Sequence, residues 1–266
     1  MPQNFHLDHY TIGVPFILLS VSLVVLGQTI IRNYMGEERI TKTHEIAGQY
    51  LALVGTFYAV LLGLVVFDAM SKFQEAEKTI EDEAKSMLTV YSLSEQFPNQ
   101  ASYIKAHVKE YTDEVVEHEL KLMEDGELSE KARNTILSLV SVIKTIKPVD
   151  ENQQAVYPVL LQEMIKWWEY RRDRIRESMF GIPTAEWIVL ILGALITISF
   201  TCFFTTESIG AHLAMRFLAS TLIAMSLYLV LLFGSPFSGD MRVSDKPFKF
   251  VQMAMNVYLK NLATPK

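Results

Sequence analysis

Residues 46–67 read IAGQYLALVGTFYAVLLGLVVF and carry no charged side chain. As a helix this stretch rises about 30 Å, the thickness of a bilayer's hydrocarbon core. Within hydrocarbon every backbone N–H and C=O must be paired inside the segment, so the stretch reads as a helix and not a strand. Residues 11–31, 187–206 and 217–237 are equally long and equally free of charge. Two stretches precede and two follow a polar central region. The chain therefore reads as an all-α integral membrane protein, with four transmembrane helices and a helical soluble domain inserted between spans two and three. The expected organisation is an N-terminal tail at 1–10, spans one and two within 11–70, and the soluble domain at 71–186. Spans three and four follow within 187–237, and a C-terminal tail occupies 238–266.

Half of the residues are hydrophobic and 20% are charged, a balance shifted toward membrane proteins. The formal net charge of −6 speaks against a nucleic-acid partner. The single cysteine, Cys202, lies inside the third apolar stretch, which excludes an intrachain disulfide and a cysteine metal centre. Met1–Tyr10 has no Lys or Arg and no small-residue cleavage site, so residues 11–31 are expected to be a retained span and not a signal peptide.

Four spans put both termini and the inserted domain on one side. That side offers Lys72, Lys78, Lys85, Arg171, Arg172, Arg174, Arg176, Arg242, Lys246 and Lys249, against Arg32, Arg39 and Lys42 in the first hairpin. The excess predicts a cytoplasmic domain and cytoplasmic termini in a cell membrane.

The second span does not stop at the membrane. Phe73, Ile80, Ala84, Met87 and Tyr91 continue it as a helix-packing seam, with no Gly or Pro between Gly63 and Phe97. One helix from about residue 46 to 96 is expected, roughly 75 Å long. Its seam packs against the rest of the domain or against neighbouring copies. Pro98 starts a second amphipathic helix that ends at Gly126, and Ser129 is positioned to cap a third that stops before Pro148. A fourth runs from Asp150 through Trp167 and Trp168 to the turn at Gly181–Pro183.

In span two, Gly48, Ala52, Gly55, Ala59 and Gly63 make a ridge of small side chains on one face. Two readings stand: close helix–helix packing, or a pore wall of exposed backbone. The pore-lining candidates are Gly55, Thr56, Tyr58, Ala59, Gly63, Phe67, Asp68 and Glu75. In a ring of copies Asp68 and Glu75 would form stacked acidic rings; alone they are a solvated helix end. Thr197, Thr201 and Thr205 are spaced to bond back to their own helix. Arg216, near the start of span four, is expected to pair with Glu207. His107, Tyr111, Glu114 and His118 share a helical stripe that lacks a compact further ligand, so neither a metal nor another cofactor is expected. Trp167, Trp168, Arg171, Arg172 and Arg174 have the composition of a membrane-interface anchor, and the same arginines are placed to pair with stalk acids. No phosphate loop, nucleophile elbow or ligand constellation supports catalysis.

The string Gly55-Thr56-Phe57-Tyr58-Ala59-Val60-Leu61-Leu62-Gly63, with Glu75-Ala76-Glu77 and Glu81-Asp82-Glu83-Ala84, resembles the first half of the bestrophin-like membrane family. Arg171-Arg172-x-Arg174, Pro183-x-x-x-Trp187, Pro236-Phe237-x-Gly239 and Pro247-Phe248 resemble its second half. The similarity spans residues 44–250. It implies kinship with pentameric ion channels that have four spans, a cytosolic helical domain between spans two and three, and a pore lined by the second span. Span two lacks the Asn/Pro-containing aromatic neck of bestrophins, and Ser235 stands where an Asp precedes Pro-Phe, so no selectivity residue carries over. The reading is an oligomeric channel that conducts inorganic ions passively, with lipid and further copies of the chain as partners. The other class left open is a membrane-anchored helical scaffold or sensor without transport.

Overall fold

The computed structural model describes residues 8–35, 44–179, 181–204 and 209–263. Arg39, Lys42, Thr205 and Glu207 lie outside them, and with them the expected Arg216–Glu207 pair. Among the described residues regular structure is entirely helical. Four helices are long and apolar enough to cross a membrane. The chain divides into two compact units, one holding 1–73, 181–235 and 239–241, the other 74–180, 236–238 and 242–266.

The first unit contains α1 (Tyr10–Met35), the first part of α2 (His44–Leu93), α6 (Thr184–Phe200) and α7 (Ile209–Phe233). Helix α1 packs along α7. Its buried Gln28 donates to Ile198 O at 3.2 Å and to Thr201 Oγ1 at 2.8 Å, partners for its amide nitrogen that hydrocarbon would not supply. Thr197 and Thr201 bond back to Gly193 O and Ile198 O, as hydroxyls inside spans do. Asp240 accepts from Tyr10 N at 2.7 Å and from His9 Nδ1 at 3.1 Å, so a distant carboxylate caps α1. Gly239 stands at φ 72°, where a Cβ would collide with Asp8. The fourth span differs from its expected position: it ends at Phe233, because Gly234-Ser235-Pro236 breaks the helix. It starts earlier, and His212, Arg216 and Ser220 turn inward on one buried face.

The second unit contains the rest of α2, α3 (Pro98–Glu114), α4 (Glu130–Thr145), α5 (Glu151–Met179) and α8 (Lys246–Ala263). Helix α3 continues through one π turn, Val115–Glu119, to Leu122 and then closes at Gly126, which takes a left-handed φ of 74°. Ser129 caps α4 by accepting from Ala132 N. The seam residues Ile80, Ala84, Met87 and Tyr91 are buried against this unit's own core, which includes Ile104, Val108, Ile136, Leu139 and Trp167. Each such side chain contributes about 1.5–3 kcal/mol by leaving water. The seam is therefore used up within one chain and does not reach neighbouring copies. The expected C-terminal tail contains α8, whose Phe248, Val251 and Met255 are buried in the same unit.

Candidate functional site

Helix α2 has two unlike faces. Ala47, Tyr58, Ala69 and Phe73 turn inward in the first unit, and Ala76, Ile80, Glu83 and Met87 turn inward in the second. Opposite them Gln49, Ala52, Thr56, Ala59, Gly63 and Phe67 are exposed. A methyl group added at Gly55 or Gly63 would meet nothing within 4 Å. Beyond Gly48, which faces Phe204, the ridge of small residues is thus not spent on packing within the chain. Eleven residues make three helical turns, so Thr56, Phe67 and Lys78 fall close to one line along α2. Glu81 and Lys85 continue this exposed face in the second unit.

Tyr58 does not share that face. Its side chain is 8% exposed, and a methyl on Gly193 would overlap its ring. The absence of a Cβ on α6 is what lets the ring lie there. Tyr58 is a packing residue inside the chain, which removes it from the candidate pore wall. Asp68 sits roughly 100° round the helix from Phe67. It forms an ion pair with Lys72 at 2.7 Å, one turn on, so its charge is matched within the chain. Glu75 is exposed on the flank of the same helix.

Behind the stalk face lies a buried charge cluster. The guanidinium of Arg174 donates through Nε to Glu83 Oε2 at 2.6 Å, and through Nη2 to Glu83 Oε1 at 3.1 Å and Glu119 Oε2 at 2.9 Å. Arg171 donates to Glu119 Oε1 at 2.5 Å. The Tyr111 hydroxyl donates to Glu83 Oε1 at 2.6 Å, and Arg174 Nη1 reaches Met123 Sδ at 2.9 Å. Two arginines and two glutamates balance, the condition under which ions are tolerated away from water. Burial alone would lower the Arg174 pKa, but Glu83 and Glu119 reverse this and hold it well above its usual range. Burial, aided by Glu83, pushes the Tyr111 phenol well up. Trp167 meets Tyr111 edge-on at 4.9 Å.

This cluster corrects the anchor reading. Trp167, Arg171 and Arg174 are buried in the second unit, so they face no headgroup. Of that set Arg172 is exposed and Trp168 half-buried. The pairing with stalk acids is present for Arg174, through Glu83. Sequence reading did not single out Glu119, which lies in the π turn and joins the cluster through both arginines; the spacing of Arg171 and Arg174 by three was the available signal.

It also missed Glu177, near the end of α5. Thr79 donates to its Oε1 at 3.0 Å, while Oε2 is buried without a partner among the described residues. Burial raises its pKa to about 7, with Glu75 and Asp173 adding to the rise. The residues of the His107–His118 stripe have separate partners: Tyr111 donates to Glu83, and Glu114 accepts from Ser129 at 2.7 Å and lies 3.3 Å from Lys131 and 3.6 Å from His118.

The Bestrophin-like domain model matches residues 18–248. A crystal structure of a bacterial bestrophin homologue from Klebsiella pneumoniae, carrying a single mutation, is similar over 91% of this chain and 98% of its own, with TM-score 0.67 and 14% identity. A further structure of the Klebsiella pneumoniae homologue, also a point mutant, covers 94% of this chain and 99% of its own, with TM-score 0.60 and 16% identity. No curated protein matches the chain.

Proposed function

Since this chain belongs to the bestrophin-like family, we propose that it is the subunit of a homo-oligomeric ion channel whose α2 lines or flanks the pore. The observation that carries this reading is a strip of small and polar positions along α2 that its own chain leaves uncovered. Helix α1 presents Phe16, Leu19, Leu23, Leu26 and Ile30, bulky side chains suited to lipid. Helix α2 also exposes bulky side chains, Leu53, Phe57, Val60 and Leu64 among them, but beside them runs a strip of Gln49, Ala52, Thr56, Ala59 and Gly63, small and polar positions that lipid does not favour and that copies or water do. Phe67 then supplies an apolar narrowing between Thr56 and the charged residues of the stalk. Passive flow through such a constriction is set by its width and wetting.

The family resemblance also supports a cytoplasmic second unit and a cell-membrane location, in line with the basic residues of that side. The test replaces Cys202 by Ser and Thr56 by Cys. Oxidation of this variant in vesicles should join copies through α2. Ion-replacement flux in liposomes should then fall on joining and recover on reduction. Chains that stay monomeric on oxidation, or joined chains with no flux before or after reduction, would leave the protein a membrane-anchored scaffold.

A further inference from the structure

A groove lined by no residue of α2 runs down the first unit between α1, α6 and α7. Its wider end encloses about 400 Å³ and is bounded by Gly13, Ile17, Trp187 and Tyr228. Its deeper end encloses about 180 Å³ and reaches Val24, Ala194 and Ser220. Ser20, Ile191, Ala224 and Leu227 border both, so the two are one continuous space. Small residues hollow it out: Gly13 and Ser20 on α1, Ala194 on α6, Ala224 and Ser220 on α7. The one hydroxyl they share along α1 makes no demand on an occupant, since Ser20 donates to Phe16 O at 2.7 Å.

We propose that this groove holds one acyl chain of a bilayer phospholipid. Three features choose that occupant. From Gly13 to Val24 the groove follows about 16 Å of helix, roughly half of the ~30 Å hydrocarbon core, which is the depth of one leaflet. It opens onto the surface where Phe16, Ile191 and Leu195 are exposed, and that surface is continuous with the lipid contact of the spans. Its wide end lies near the first turns of α1 and α6 and the last turns of α7, so its mouth is at one membrane boundary. There stand Trp187 and Tyr228, the residue types that settle at headgroup depth. The Tyr228 hydroxyl is buried and has no partner among the described residues. An ester carbonyl at the head of an acyl chain is an acceptor at that depth.

The experiment reconstitutes the full-length protein with phosphatidylethanolamine that carries a diazirine at the middle of one acyl chain, and maps the photo-adducts by mass spectrometry. Adducts are expected to concentrate several-fold on Ala224 and Leu227, which line the groove, over Leu222 and Leu192, which are exposed on α7 and α6 outside it. Ala224→Phe should abolish the groove adducts and leave those on Leu222 unchanged. Equal labelling of groove and exposed positions in the wild type would overturn the proposal, whatever the variant does. So would oxidation of Ala224→Cys, in a Cys202→Ser background, to disulfide-linked copies, because a neighbouring chain would then fill the groove.

Discussion

Arg174 has no exposed surface, and every nitrogen of its guanidinium faces an oxygen or sulfur acceptor of the same unit. Replacing it alone strands the Glu83 carboxylate in the core and leaves Glu119 with Arg171 only. Arg174→Met should cost about 3–5 kcal/mol, seen as a lower unfolding midpoint in detergent. Adding Glu83→Gln should recover part of that loss, since Arg171 and Glu119 remain a matched pair; no recovery would mean that shape and not charge holds the cluster. Glu177 makes the opposite prediction. Its carboxyl is raised in the folded protein to about 7 from 4.5, so the folded chain keeps a proton that the unfolded chain releases. The associated stability is complete below pH 4.5 and is lost as pH rises through about 7. Glu177→Gln should flatten the melting temperature across that window while other carboxylates titrate as before.

Among elements, α2 carries the most meaning, because one helix serves two environments. Its continuity was readable from the lack of Gly and Pro after Gly63, and the helix runs unbroken from His44 to Leu93. Which side faces inward in the membrane half was not readable, since almost every residue there is apolar. Tyr58 decided that: its ring sits on Gly193 of α6 and sets the rotation of α2 against the first unit. Gly193→Ala should therefore destabilise by about 1–3 kcal/mol through overpacking. Tyr58→Leu in the same chain should restore the wild-type unfolding midpoint. A neutral Gly193→Ala would mean that α2 is turned differently. The π turn at Val115–Glu119 is a second such element, an extra residue that no periodicity announces.

At the scale of the whole molecule, membership of the bestrophin-like family agrees with four helices long and apolar enough to cross a membrane, and the proposed cytoplasmic side of the second unit is open to a direct test. Val149, at the end of α4's connection to α5, is 81% exposed. In a Cys202→Ser background, Val149→Cys should react with a membrane-impermeant maleimide in inside-out vesicles and stay unlabelled in intact cells. The reverse pattern would place the second unit outside the cell.

Amino-acid order alone determined that this is a helical membrane protein with four long apolar helices, and that the second of them runs on unbroken beyond its apolar stretch. Those properties follow from hydrophobic run length and from helix breakers, which are local and additive along the chain. Tertiary structure alone decided that Trp167, Arg171 and Arg174 are core and not surface, that Tyr58 faces a neighbouring helix, and that Glu119 and Glu177 matter. An arginine reads the same in sequence whether it meets water, a headgroup or a buried glutamate. Only the packing of distant helices settles which of these solvates its charge.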